Sequence, residues 1–154
     1  MQQIGAAIKH RIHALLLRHR PEYGLIHGDL HQNNVHYDPE FGFGFVDAES
    51  FGNGWRVWEI VYLVSGHVHA WGPQDYVEYE RRWDAFVEGY GRQRVLSEAK
   101  LKAAQLFPLA RYLLALGRRA CLSARFDGAS AVDDKQITAW IDFMHEWIAH
   151  YDPL

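Results

Sequence analysis

Eight residues, His-Gly-Asp-Leu-His-Gln-Asn-Asn at 27–34, do most to limit what this chain can fold into. Bounded by Ile26 and Val35, the octet is too polar for a core strand and too regular in its spacing for a linker. On its amino side "YGLI" reads as a short buried strand that runs into the octet as a loop. On its carboxyl side "VHY" and "FGFVD" alternate as two strands. Asp38, Pro39 and Gly42 supply the turn that makes them a hairpin. A hairpin folds its two ends together, so Asn34, just before the first strand, is expected beside Asp47, just after the second. The connecting loop holds Asp29 close to both.

The rest reads as helix. Residues 4–19 place Ile4, Ile8, Ile12, Leu15 and Leu16 on one face, with a basic last turn of Arg18, His19 and Arg20 and a stop at Pro21. From Trp55 a second helix runs to about residue 70, apolar on most sides and therefore central. A third follows Gly72 and Pro73 and ends near Gly91, with Tyr76, Tyr79, Trp83, Phe86 and Tyr90 inward. A stretch over about 98–125 should kink or break at Pro108. Asp133 or Asp134 caps a final helix that buries Ile137, Trp140, Ile141, Met144 and Ile148. The fold class expected is mainly α with a small β-hairpin, in a single domain over residues 1–154. The length of 154 residues and the 49% hydrophobic content allow one proper core.

Charge and cysteine content exclude some functions. A formal charge of −3 argues against a general nucleic-acid binder. The single cysteine, Cys121, forms no internal disulfide and suits a reducing compartment; being on a helix, it reads as packed. Lys9, His10 and Arg11 interrupt the start where a signal peptide would need an apolar segment. No apolar run reaches the roughly 18–20 residues that cross a bilayer. A cytoplasmic domain is expected, without a nucleic-acid or membrane partner.

Asp29, Asn34 and Asp47 together make a cluster of hard oxygen donors, which suits Mg²⁺ completed by water and substrate phosphates. A carboxylate not needed for the metal can accept a proton from a substrate hydroxyl. Phosphoryl transfer needs this set of parts.

"HGDLHQNN" followed by "FVDAES" resembles the catalytic and metal loops of the aminoglycoside phosphotransferase and choline kinase family, relatives of the protein kinases. The resemblance implies the C-terminal lobe of a protein-kinase-like fold, with ATP and Mg²⁺ as cofactors and a small-molecule hydroxyl substrate of the aminoglycoside, choline-like or amino-alcohol kind. It implies Asp29 as catalytic base, Asn34 and Asp47 as metal ligands, and His27 as the histidine that braces the loop. His31, Asn34 and Asp47 are the candidate cofactor-binding residues, although His31 also reads as a structural hydrogen bond, and Glu49 reads equally as a second acidic site residue or a solvated acid. "GWRVWEI" resembles the helix that follows the metal loop, with Glu59 at the position of the family's usual Asp. Ala48 and Asn33 stand where the family commonly has an aromatic residue and Gly.

The family's nucleotide-covering lobe carries a phosphate loop and a lysine. The 26 residues before His27 offer Lys9, Gly5 and Gly24, which is no room for such a lobe. The expected partner is therefore that missing lobe, or a second copy, on an apolar face that includes the first helix and "FGFGF". By itself the chain is expected to be inactive. The alternatives are a non-catalytic ligand-binding or regulatory domain, and a metal-dependent hydrolase. His67 and His69 point to different faces of a helix and read as structural. Arg118 and Arg119 read as a solvated helix face, and the Trp and Tyr rows as core rather than a cation-binding box.

Overall fold

Apolar residues at helical spacing build most of the chain into a single packed core. The structure, a computed structural model, describes residues 2–16, 22–65, 76–125 and 134–154. Helix α1 (Gln2–Leu15) buries Ile8 and Ile12, and Leu16 follows them into the core. Helix α2 (Arg56–Ser65) is the hub. It buries Val57, Ile60, Val61 and Val64 and packs on α3 (Tyr76–Gly91), α4 (Glu98–Ala104) and α5 (Phe107–Arg125). The final helix, α6 (Asp134–Tyr151), packs on α5 and closes the core with Trp140, Phe143, Met144 and Trp147. Fully buried, Trp147 satisfies its indole N–H on the Gln105 carbonyl at 2.8 Å.

The break expected at Pro108 falls just ahead of it, between α4 and α5, and puts the proline in the first turn of α5, where its missing N–H costs nothing. The aromatic row of α3 faces inward as expected, Tyr79 deepest. The Gly72–Pro73 lead-in expected for that helix, the basic turn at 18–20, Pro21, Asp133 and the His67–His69 pair lie outside the described residues.

The expected hairpin forms. Strand β2 (Val35–Asp38) pairs antiparallel with β3 (Gly42–Phe45), Val35 opposite Phe45 and Asp38 opposite Gly42. The Asp38 carboxylate accepts from the Glu40 and Phe41 amides at 2.7 and 2.9 Å, and Gly42 takes a φ of 80°, so each turn residue has its expected use. A second two-stranded sheet was not expected: β1 (Tyr23–Ile26) pairs antiparallel with β4 (Gly52–Trp55), Tyr23 opposite Trp55. Trp55 thus ends a strand rather than opening a helix. A strand reading Gly-Asn-Gly-Trp has no propensity signal of its own; long-range pairing makes it. Nor is β1 fully buried, since Leu25 is exposed.

Two further expectations change. Cys121 is exposed rather than packed. The apolar face of α1 is core, so the exposed apolar surface excludes it and gathers on the hairpin, where Phe41, Phe43 and Phe45 are 82%, 68% and 61% exposed. Arg118 is exposed as expected.

Candidate active site

The octet leaves β1 and is pinned to α2 by backbone and side chain alike. The Glu59 carboxylate accepts from the His27 amide at 2.8 Å and from the Gly28 amide at 3.0 Å. One residue earlier, the Trp58 indole donates to the Gly28 carbonyl at 3.1 Å, its ring edge-on to Phe107. Gly28 itself sits at a φ of 86°, and a Cβ there would collide with the Ser50 carbonyl, so the loop and the segment after β3 touch through a glycine. The His27 ring completes the clamp. Its Nε2 lies 2.8 Å from the Val46 carbonyl, which can only accept, so this nitrogen carries the proton.

The clamp fixes Asp29. Its carbonyl accepts from the Asn34 side-chain amide at 3.0 Å and from the His31 amide at 3.0 Å. Its carboxylate accepts a hydrogen bond from the Tyr62 phenol. Burial, then this bond to Asp29, pushes the Tyr62 pKa up to about 12, so the phenol stays a donor at any working pH. Arg111 of α5 lies over the Tyr62 ring, 3.9 Å from its centroid. The sequence disclosed neither Tyr62 beside Asp29 nor Arg111 over the Tyr62 ring. The one available signal was Tyr62 falling a single helical turn after Trp58, on the flank of α2 that meets the loop.

His31 Nε2 stands 3.9 Å from the Asp29 carboxylate, and the ring stacks on Tyr62, a placement that makes it part of the same packed group. Asn34 is 5% exposed, a buried polar residue whose amide is held by its bond to Asp29. Its carbonyl accepts from the Val46 amide at 3.1 Å, so the residue before Asp47 is tied directly to Asn34. Asp47 then adopts left-handed backbone, φ 60° and ψ 55°, which turns the chain out of β3 into a short 3₁₀ turn over Ala48–Ser50. The exposed Glu49 belongs to that turn. The hairpin therefore brings the Asn34 and Asp47 backbones together as its order implied, with Asp29 bonded to Asn34.

Two oxygen-donor residues, adjacent across a hairpin and one of them immobilised, fit a hard cation finished by water and phosphate oxygens. Among the described residues no three of His, Cys, Asp and Glu are grouped to hold a metal on their own.

Beside this group lies a largely apolar cavity of about 730 Å³, reached by Leu25, Leu30, Phe45, Ala48, Phe51 and Leu63. Ala48 keeps the space open where an aromatic ring would enter.

A family model described as "Phosphotransferase enzyme family" matches residues 4–96. An uncharacterised protein of Deinococcus radiodurans is 32% identical over 126 residues, which is 81% of this chain and 36% of that protein. Two solved structures share the fold. An amicoumacin kinase in complex with AMP-PNP, Ca²⁺ and Ami superposes with a TM-score of 0.64 at 22% identity, covering 95% of this chain and 44% of its own. A microcompartment-associated aminopropanol kinase gives 0.63 at 22%, covering 98% and 44%. The chain thus spans less than half the length of the proteins it matches.

Proposed function

The chain belongs to the phosphotransferase enzyme family, with the C-terminal lobe of a protein-kinase-like fold, and on that premise we propose that it is the base- and metal-holding lobe of a small-molecule kinase. The observation that carries the reading is the convergence of Asp29, Asn34 and Asp47 through the Asn34–Asp29 and Val46–Asn34 hydrogen bonds.

ATP supplies the phosphoryl group and Mg²⁺ neutralises its charge when they are bound. The side-chain oxygens of Asn34 and Asp47 are the ligands this chain offers. Asp29 accepts the proton of the acceptor hydroxyl, and Tyr62 fixes its carboxylate in the orientation that reaches it. His31 helps keep that rotamer by packing on Tyr62. The acceptor class is a hydroxyl compound bearing an amino group, a reading supported by the aminopropanol kinase among the similar structures. Residues 1–154 act as one domain.

Positioning and charge stabilisation account for most of phosphoryl-transfer catalysis, and they come from both sides of the nucleotide. Ahead of His27 the sequence carries one lysine, Lys9, and no glycine-rich loop. We assign the nucleotide cover to polypeptide outside these 154 residues, so that alone they bind Mg-ATP weakly and turn over negligibly. The test is phosphate transfer from ATP to a panel of amino alcohols and aminoglycosides, paired with calorimetry of Mg-ATP binding. Robust turnover by the 154 residues, lost in Asp29→Ala, would refute the need for the cover. Turnover in the presence of the covering lobe that survives both Asp29→Ala and Asp47→Ala would refute the kinase reading.

The second reading, a non-catalytic ligand-binding domain, draws on the apolar cavity beside Ala48. Ligand affinity without any magnesium-dependent nucleotide binding would favour it.

A further inference from the structure

We propose that a cavity between the start of α2 and the segment joining α3 to α4 is a binding site for a phosphate group, either inorganic phosphate or a phosphate monoester, separate from the Asp29–Asp47 cluster. The cavity measures about 330 Å³ and is lined by three cations, Arg56, Arg94 and Lys100, with Val57, Ile60 and Tyr90 among its apolar walls.

Arg56 is the anchor. Its backbone amide bonds the Glu22 carbonyl at 3.0 Å, which seats the first residue of α2 against β1. Its guanidinium lies over Gly24, where an added Cβ would come within 3.1 Å of Nη2 and the guanidinium would have to give by a few tenths of an ångström. Its Nε is buried and has no hydrogen-bond partner. A buried N–H of a cation gains more from an anionic acceptor than a neutral donor does.

The charges do not balance. No carboxylate lines the cavity. Glu22 stands 3.6 Å from Lys100 and answers one cation. Glu59, one turn along from Arg56, already has both oxygens committed to the His27 and Gly28 amides. Among the described residues neither Arg56 nor Arg94 has an ion-pair partner. Arg56 and Arg94 line this cavity and also the larger one beside the candidate site, and against its apolar walls their attraction for an anion is larger than in open water. A phosphate monoester carries nearly two negative charges at neutral pH, and guanidinium groups match its oxygens in pairs.

Inorganic phosphate and glycerol phosphate, titrated calorimetrically into the chain at constant ionic strength, test the site and separate its two sources. Saturable binding of at least one is expected, and it should persist in an Asp29→Asn/Asp47→Asn double variant, whose nucleotide cluster is disabled. Arg56→Gln and Arg94→Gln should each weaken it about tenfold, the effect of losing one charge-assisted contact. Gly24→Ala should weaken it less, since the Arg56 guanidinium need shift by only a few tenths of an ångström. Arg94 is exposed, so Arg94→Gln keeps the fold and decides the matter if Arg56→Gln unfolds. Heats that vanish at constant ionic strength, or binding indifferent to Arg94→Gln and Gly24→Ala, overturn the proposal. Binding lost only in the Asp29/Asp47 double variant overturns it too and leaves the kinase reading untouched.

Discussion

Asp29 and Asp47 both sit where the surrounding structure leaves them little choice, and each makes a separate prediction. Asp29→Asn should lower phosphate transfer by about a hundredfold or more, the usual contribution of a general base. Tyr62→Phe removes only the hydrogen bond that orients it. About a tenfold fall in kcat, with nucleotide KM unchanged, is expected, since a hydrogen bond to a charged carboxylate is worth about 1.5 kcal/mol or more. Steady-state kinetics with the covering lobe present checks both; a Tyr62→Phe enzyme that loses nucleotide affinity instead would refute the positioning role. Asp47 is a non-glycine residue in left-handed backbone, a conformation that costs about 1–3 kcal/mol and persists at functional sites. Asp47→Gly should therefore raise the thermal midpoint while abolishing magnesium-dependent nucleotide binding. A lower midpoint would mean that Asp47 is there for stability.

At the scale of the element, the loop depends on one face of α2. Glu59→Ala strands the His27 and Gly28 amides and should destabilise the chain by about 2–3 kcal/mol, measured by urea unfolding. Gly28→Ala should cost about as much through its left-handed φ and the Ser50 carbonyl. If Gly28→Ala unfolds at the wild-type midpoint, the loop is softer than its bonds imply. The helices were legible because apolar residues recur at helical spacing, on one face of most and on most sides of α2, and the β2–β3 hairpin because Asp38 and Gly42 mark its turn. Strand β4 was not legible: Gly-Asn-Gly-Trp becomes a strand only when β1 is placed against it.

At the scale of the whole molecule, the hairpin leaves an apolar surface uncovered. Phe43 and Phe45 lie on one face of β3 with the exposed Phe41 in the turn before it, and the Tyr37 ring is 5.1 Å from that of Phe43. Contiguous apolar area of this kind finds a partner. Concentration-dependent self-association of the chain is expected in sedimentation velocity, and Phe43→Asp should abolish it without moving the thermal midpoint. A monomer at all concentrations would leave that face without a role in assembly.

The sequence by itself determined the helical body, the hairpin and the family, because "HGDLHQNN" and "FVDAES" are contiguous runs whose residue types and spacing state their chemistry. It also pointed to Asn34 and Asp47 as neighbours, since a hairpin closes its own ends. Only the tertiary structure decided what holds Asp29 in place. Tyr62, beside Asp29, and Arg111, over the Tyr62 ring, lie 33 and 82 positions beyond it in the numbering; they meet because α2 and α5 pack side by side in one core, and no local pattern encodes that meeting. The same holds for Arg56, Arg94 and Lys100, three unremarkable surface-type residues in the sequence until the fold turns them toward one cavity.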